Sequence, residues 1–299
     1  MIVALLLALQ ASPPSPGDRA PAEFRSPRVR ESSGVAVSRA QPGVLWTHND
    51  SGDGPYLYAT DLSGRDRGRL RVAGARAVDW EAIALGPCPQ PVRAPTGAAC
   101  LYVGDTGDNN ERRDRVTVYA FREPEAPTGP GDTLRSTAEP VVLRLRYPDG
   151  SHDVEAVYVS SRDSALYLVS KGHSGPIRLY RVAAQQWESA AADDVVRATR
   201  VQTLDIRPSR EAGRLVTGAA IRPDARVVAI RTYLEVYLFY TGIGGRLYPA
   251  RERPCGLAGL DRGGEAIDFL SDTVLVLTSE AGRRRPGVIA TFACPLGEE

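Results

Sequence analysis

Two short acidic segments of the chain share the pattern Asp-Ser/Thr-Gly-Asp, once at residues 50–53 and again at residues 105–108. Each follows an apolar run and carries carboxylates that could bind a metal ion or orient a water molecule. The same pattern is ordinary turn chemistry, because Asp caps backbone N–H groups and Gly tolerates positive φ. Whether Asp50 and Asp105 only form turns or also belong to a site depends on which side chains lie beside them.

A second set of acids recurs in a short motif. Residues 79–84 read DWEAIA, residues 153–158 read DVEAVY and residues 263–268 read GGEAID, while residues 31–36 and 217–222 are weaker copies. The first motif position carries Glu31, Asp79, Asp153, Thr217 and Gly263, and the third carries Ser33, Glu81, Glu155, Ala219 and Glu265. A single Glu that opens a strand is ordinarily a solvated residue. Glutamate at the same position of three copies indicates a shared site.

The elements that position these acids are short strands separated by turns. Each motif copy opens a strand, here called strand a. Strand b follows at residues 44–48, 100–104, 165–169, 227–230 and 274–277, and strand c at residues 56–61, 116–121, 177–182, 236–240 and 288–294. Strand d is recognisable at residues 69–73, 141–147 and 200–206, and more weakly near residues 246–257. The last unit lacks strand d, which residues 23–29 could supply.

Five antiparallel four-stranded units, the last closed by an N-terminal strand, predict an all-β fold, a five-bladed β-propeller. The alternative is a six-bladed propeller, if residues 123–138 contain further strands. A β-sandwich fits a recurrent four-stranded unit less well. The best helical candidate, residues 183–196, is short and polar.

In a propeller, strand a lines the central channel, and its start lies beside the end of strand b. The b strands end at Asn49/Asp50, Asp105/Thr106, Ser170/Lys171, Arg231/Thr232 and Ser279/Glu280, with His48 and His152 nearby. The acids therefore converge on one channel mouth, where they would repel one another without a cation. Calcium prefers six to eight oxygen ligands, and no Cys/His cluster argues for zinc. The predicted metal ligands are Glu81, Glu155, Glu265, Asp79, Asp153 and Glu31.

Opposite charge is expected at the same mouth. Lys171 is the single lysine among 37 Lys and Arg residues, and it ends a b strand, as does Arg231. With a metal ion beside them, these cations suit an anionic substrate, and His48 and His152 would lie close to it. The metal would act as a Lewis acid, with Asp105 or Asp50 orienting water. The alternative is that Lys171 pairs with Glu155 across the hairpin.

The N-terminal segment and the cysteines indicate an exported protein. Residues 1–11 are apolar, too short to span a bilayer, and resemble a signal peptide without a basic n-region. Residues 12–22 form a Pro-rich linker, and residues 23–299 are predicted to be one propeller domain, secreted or periplasmic and monomeric. Four cysteines fit such a compartment and allow three pairings. Cys88 and Cys100 bracket a Pro-rich stretch, which would leave Cys255 with Cys294.

The segments DWEAIA, LYVGDTGDNN, HDVEAVYV and YLVSKG resemble those of exported bacterial β-propeller proteins. Their D-x-E-[AG]-[IV] element is similar to that of SdiA-regulated-domain propellers and of β-propeller phytases. The resemblance spans about residues 31–292 and implies calcium held by inner-strand acids, which map onto Glu81, Glu155 and Glu265, with Asp79 and Asp153 beside them. The chain departs from the phytase pattern in having five units, one lysine and degenerate first and fourth motifs.

Two functions remain open. The first is an exported propeller that binds calcium and acts on or recognises an anionic small molecule, by metal-assisted hydrolysis of a phosphoester or similar ester if it is an enzyme. The second is a non-enzymatic module for a glycan, peptide or cell-envelope partner, with structural calcium. A net charge of +1 gives no case for nucleic acid or an anionic membrane as partner. The positions of Lys171 and Arg231 distinguish the two functions. If both side chains point into the channel close to the acids and are unpaired, catalysis is favoured. If they point outward or pair fully with acids, the binding module is favoured.

Overall fold

A computed structural model describes residues 20–132, 134–192, 194–208, 213–260, 263–282 and 285–296. The predicted signal peptide and most of the predicted linker lie outside these ranges. Two 3-10 helices are present in the described part, at Ala184–Ala192 and Ile243–Gly245. Within the same residues, no helix has the length and apolar character needed to cross a bilayer.

The rest of the described chain forms short strands joined by turns. In chain order they are β1 (Ala22–Glu23), β2 (Ser32–Val37), β3 (Leu45–Asn49), β4 (Tyr56–Thr60), β5 (Gly68–Arg71), β6 (Trp80–Pro87), β7 (Ala99–Asp105), β8 (Val116–Arg122), β9 (Arg135–Ser136), β10 (Val141–Arg146), β11 (Val154–Val159), β12 (Leu166–Ser170), β13 (Ile177–Val182), β14 (Val195–Arg197), β15 (Thr199–Leu204), β16 (Val216–Ile221), β17 (Val227–Thr232), β18 (Glu235–Thr241), β19 (Leu247–Pro249), β20 (Cys255–Gly256), β21 (Gly264–Phe269), β22 (Val274–Ser279) and β23 (Val288–Ala293).

These strands form five sheets, which are the blades of a propeller. Blade 1 is β2-β3-β4-β5, blade 2 is β6-β7-β8-β10, blade 3 is β11-β12-β13-β15, blade 4 is β16-β17-β18-β19, and blade 5 is β21-β22-β23-β1. The first strand of each blade contacts those of both neighbouring blades, so the five inner strands close a ring. The predicted five-bladed fold is confirmed. Its closing strand β1 pairs Ala22 with Ile289 and Glu23 with Val288, so it shares only Glu23 with the expected 23–29 segment.

Two further strands join neighbouring blades at their outer edges. β9 belongs to the β8–β10 connection of blade 2 and pairs in parallel with β5 of blade 1. β14 belongs to the β13–β15 connection of blade 3 and pairs in parallel with β10 of blade 2. The segment 123–138 therefore extends blade 1 and does not build a sixth blade.

The core is a ring of apolar clusters between successive blades. One cluster joins blades 2 and 3 around Tyr102 and Trp187, and another joins blades 1 and 2 around Trp46 and Trp80. Equivalent clusters join blades 3 and 4, 4 and 5, and 5 and 1. Because all six residues of β2 and of β11 are buried, both faces of these inner strands pack against protein.

Both expected disulfides are present. Cys88–Cys100 closes the β6–β7 hairpin of blade 2, with a Cα–Cα distance of 4.8 Å. Cys255–Cys294 ties β20, which pairs with β18 of blade 4, to the end of β23 in blade 5, with a Cα–Cα distance of 6.0 Å. The second bridge therefore anchors the blade that β1 closes.

A β-bulge occurs at the same place in every inner strand. The register shifts leave one extra residue at Ser33, Glu81, Glu155, Thr217 and Glu265. A bulge re-aims the side chain of the extra residue. The third motif position is thus the bulge, and the assignment of Ala219 to it was wrong: blade 4 places Thr217 there. The same shift makes Thr232 and Tyr233, not Arg231 and Thr232, the pair that ends the b strand of blade 4.

Candidate functional site

Three bulged glutamates surround a small cavity on the propeller axis. Glu81, Glu155 and Glu265 line it together with Ser33, and its volume of about 10 Å³ matches one water-sized sphere. All three glutamates are buried. The structure therefore brings together three of the predicted metal ligands from three different blades.

The tightest acidic group lies where this cavity meets one channel mouth. One carboxylate oxygen each of Asp50, Asp79 and Glu81 lies within 4.8 Å of the other two. Asp50 follows β3 of blade 1, whereas Asp79 and Glu81 flank the start of β6 in blade 2. We call these three residues the acidic trio. The side chains of Asp50 and Asp79 are also close enough to share a hydrogen bond, which two ionised carboxylates cannot do without a proton or a cation.

Local structure explains how the trio fits. Ser33 of blade 1 donates a 2.7 Å hydrogen bond to Glu81 Oε2. Gly107 leaves room on the other side, because a Cβ there would come within 2.6 Å of Asp79 and 2.8 Å of Glu81. Gly52 does have positive φ, at 84°, as expected of a turn glycine. Gly107 lies in the equivalent sequence pattern but serves to admit the two acidic side chains.

Electrostatics at the trio are unfavourable in the absence of a cation. Burial raises the pKa of Glu81 well above its usual range, and the charges of Glu155 and Asp50 raise it further. Burial and the charges of Asp50 and Asp153 raise the pKa of Asp79 to about 6. A divalent ion would compensate these costs directly, since it favours the ionised form of every carboxylate that it touches.

A second acidic group is already neutralised. Lys171 Nζ lies 2.5 Å from Glu155 Oε1 and 3.7 Å from Asp153 Oδ2. The other oxygen of Asp153, Oδ1, accepts a 2.8 Å hydrogen bond from the backbone N–H of Asp108. Asp153 and Glu155 are thus paired with the lysine, whereas the acidic trio is not.

Glu265 forms a third arrangement on the blade 4–5 side. Its Oε2 atom is buried and has no hydrogen-bond partner among the described residues. Burial, followed by the charge of Glu280, raises the pKa of Glu265 to about 7. Burial also raises the pKa of Glu280, with contributions from the charges of Asp50 and Glu31. The exposed Glu31 therefore acts on this mouth from its outer edge.

Arg231 and His48 brace neighbouring blades. Arg231 is 0% exposed, and its Nη1 donates to Ala266 O at 2.7 Å and Thr278 O at 3.2 Å in blade 5. His48 occupies the same register position in blade 1 and lies edge-on to Trp80 of blade 2, with ring centroids 5.7 Å apart. Burial lowers the pKa of His48 and favours the neutral imidazole. Neither side chain is available to an anion at the mouth.

Asp105 and His152 have partners outside the axial cavity. Asp105 Oδ1 forms a 2.8 Å ion pair with Arg113, and the carboxylate accepts the backbone N–H groups of residues 78 and 79. His152 Nε2 lies 3.3 Å from Asp149 Oδ1, and its ring stacks on Tyr180. Asp105 therefore shapes the loop that carries Asp79, which is the role of a turn-forming aspartate.

Sequence reasoning missed Tyr233 and Arg113. Tyr233 is the blade 4 counterpart of Lys171, one residue past the end of the b strand, and its phenol lies beside Glu265. The sequence pattern did not point to Tyr233, because the strand alignment of blade 4 was one residue out and only the position of the β-bulge corrects it. Arg113 lies in the loop after Asp105, where nothing in the sequence distinguishes it from the other arginines nearby.

No protein-family model matches the chain, and no curated protein matches it. Among solved structures, a glucose dehydrogenase is similar over 93% of this chain and 100% of its own, with 11% identity and a TM-score of 0.49. Hydrazine synthase of Kuenenia stuttgartiensis matches 86% of this chain, with 13% identity and a TM-score of 0.39. A chain of a mitotic checkpoint complex matches 88% of this chain, with 14% identity and a TM-score of 0.40.

The chain spans 57% and 63% of the last two proteins. All three TM-scores lie below 0.5, so these likenesses carry no conclusion for this chain. The strand topology makes the chain a five-bladed β-propeller.

Proposed function

We propose that this propeller binds one calcium ion at its acidic channel mouth and uses that ion to recognise an anionic ligand. The observation that carries the proposal is the acidic trio, whose carboxylate oxygens lie within 4.8 Å of one another. Asp50, Asp79 and Glu81 would be the protein ligands. The ligand, a small molecule or a component of the cell envelope, would complete the coordination with its own oxygen atoms.

The donor set supports calcium among the common ions. The side-chain donors identified there among the described residues are three carboxylates and the Ser33 hydroxyl, and hard oxygen donors suit calcium, which tolerates irregular geometry. With one oxygen each, the three carboxylates supply three of the six to eight oxygens that calcium takes, so positions stay open to a ligand or water. Lys171 is occupied by Glu155, and Arg113, which is paired with Asp105, offsets only a small part of the unfavourable charge at Asp79.

The contacts of the Lys and Arg side chains near the channel support ligand recognition more than hydrolysis. Hydrolysis of a phosphoester would use free cations beside the metal to hold the substrate, and an unengaged base to orient water. Lys171 is held by two carboxylates, Arg231 is buried between blades, and Asp105 is paired with Arg113. The bound ion itself is then the group that attracts the anionic ligand.

Calcium titration of the purified protein tests the proposal. We expect bound calcium by metal analysis, and a thermal transition that calcium raises and EDTA lowers. Asp79→Asn should abolish the calcium-dependent shift, whereas Glu31→Gln, which removes an exposed acid of the same mouth, should keep it. A wild-type protein whose transition ignores both calcium and EDTA would refute the site.

A substrate screen separates recognition from hydrolysis. With calcium bound, we expect no turnover of phosphoesters or lactones above the rate with the Asp79→Asn variant. Turnover that requires both calcium and Lys171 would instead establish the enzymatic alternative. Lys171→Ala leaves the trio intact, so its calcium shift should remain in either case.

A further inference from the structure

A second cavity lies between blades 3 and 4, away from the acidic mouth. It has a volume of about 230 Å³ and is lined at the far end of the blade 3 hairpin by Tyr158, Ser160 and Tyr167, and in blade 4 by Ile221 and Leu247. Tyr158 and Ser160 lie at the end of β11, whereas the acids lie at the start of the inner strands. The cavity shares no lining residue with the axial cavity.

The walls of this cavity are aromatic and firmly held. The rings of Tyr158 and Tyr167 stack with centroids 4.9 Å apart and an interplanar angle of 7°. Gln202 of blade 3 exchanges two hydrogen bonds, of 3.0 and 2.9 Å, with the backbone of Leu247 in blade 4. The two blades are thus fixed relative to each other, and the space between them is preformed rather than dependent on a ligand.

The rim carries a cation that lacks an acidic partner. Arg162 is exposed and donates a 3.2 Å hydrogen bond to Thr241 Oγ1. Its neighbour Asp163 is engaged by Arg181 at 2.9 Å and by the Tyr167 hydroxyl at 3.0 Å. Over the described ranges, no carboxylate lies within ion-pair distance of Arg162. The buried Tyr158 hydroxyl also has no hydrogen-bond partner among described residues.

One loop at the cavity edge presents apolar surface to water. Ile243 is 94% exposed and lies between Gly242 and Gly244 in the connection from β18 to β19. Gly245 packs directly on the Tyr167 ring, since a Cβ there would come within 2.3 Å of Tyr167 Cε1. A large aliphatic side chain held in water beside an aromatic cavity can cover a ligand that enters it.

We propose that this cavity binds a small, flat, apolar molecule that carries one anionic oxygen group. Ile221, Leu247 and the edges of the two buried tyrosine rings contact its apolar body, and Arg162 binds its carboxylate or sulfonate oxygen at the rim. Aromatic walls with a few convergent polar groups are the usual make-up of small-molecule sites. A ligand oxygen that enters beside Tyr158 would satisfy its unpartnered hydroxyl.

Two fluorescent dyes test the proposal: 8-anilinonaphthalene-1-sulfonate, which is flat and anionic, and the neutral N-phenyl-1-naphthylamine. We expect the sulfonate dye to bind saturably, one molecule per chain. Arg162→Gln should weaken it about tenfold, the loss of one charge-assisted contact, and leave the neutral dye unchanged. Arg122→Gln, which removes an exposed arginine from blade 2, should affect neither dye.

Blocking the cavity provides the second arm. Thr241→Trp should abolish binding of both dyes, with its fold checked by circular dichroism. If that variant does not fold, Arg162→Glu, at an exposed position, should weaken the sulfonate dye by more than Arg162→Gln does. Non-saturable binding, or an unchanged dissociation constant in both Arg162 variants, would overturn the proposal. EDTA should not alter dye binding, so this result and the calcium result are independent.

Discussion

At the scale of single residues, the one lysine of the chain determines how the channel acids are divided. Lys171 contacts Glu155 and Asp153, and its own pKa is raised because these two carboxylates outweigh the effect of burial. An ammonium is a compact point charge that fits between two carboxylates, where a planar guanidinium would need more room. Among the described residues, the acidic trio has no ion-pair partner, and the nearby charge of Arg113 only partly opposes the rise in the pKa of Asp79.

Removing this lysine should be costly. Lys171→Met leaves Glu155 buried and unpaired, and we expect the free energy of unfolding to fall by about 3 kcal/mol in urea denaturation. The double variant Lys171→Met/Glu155→Gln should recover more than half of that loss, because no uncompensated charge remains at Glu155. If the double variant is as unstable as the single one, the pair is not the source of the cost.

Glu265 should give the metal-free protein an unusual pH dependence. Its folded-state pKa is about 7, above the ordinary value of 4.5, so between these values the folded state binds more protons than the unfolded state. Its contribution is therefore fully present below about pH 4.5 and is lost as the pH rises through 7. A shift of this size corresponds to about 3 kcal/mol.

Urea denaturation in EDTA at pH 5 and pH 8 measures this effect. Wild-type protein and the control Glu31→Gln should both lose stability between the two pH values. Glu265→Gln should show a distinctly smaller loss, because its amide does not titrate. Equal losses in wild type and Glu265→Gln would mean that other groups cause the dependence.

At the scale of elements, the repeated bulge explains what sequence reasoning could and could not predict. The motif copies and strand spacing predicted five blades and a closing N-terminal strand. They named Asp79 and Glu81 as metal ligands, which stays a prediction, whereas Asp50 was expected to orient water and not to bind the metal. They could not predict the role of Arg231, because a shift of one residue moves a side chain from one face of a strand to the other. Which acids Lys171 would neutralise depended on side-chain positions that no spacing encodes.

The glycine after the blade 1 bulge is a test of close strand packing. A Cβ at Gly34 would come within 2.4 Å of His48 Nε2 and 2.9 Å of the Ile83 backbone nitrogen. We expect Gly34→Ala to lower the free energy of unfolding by about 1–3 kcal/mol through overpacking. Gly256→Ala, where a Cβ would meet nothing within 4 Å, is the matched control and should change stability little. Equal effects of the two variants would contradict the packing argument.

At the scale of the whole molecule, the two disulfides should contribute unequally. Cys255–Cys294 closes a loop with a sequence separation of 39 residues, and Cys88–Cys100 one of 12. Loop-closure entropy then gives about 4 kcal/mol for the first and about 3 kcal/mol for the second. Urea denaturation of Cys255→Ser/Cys294→Ser and Cys88→Ser/Cys100→Ser tests this order. A greater loss from the second double variant would show that strain or local packing dominates over chain entropy.

The outer strands β9 and β14 have a consequence for how the ring opens. Each lies in the sequence of one blade but pairs with the blade before it, so neither blade 1 nor blade 2 can detach while its neighbour is folded. Blades 1 to 3 should therefore behave as one cooperative unit, unlike a solenoid whose repeats fray singly. In native-state hydrogen exchange, amides of β5 and β10 that are hydrogen-bonded in the sheet should exchange only through the same opening as those of β7.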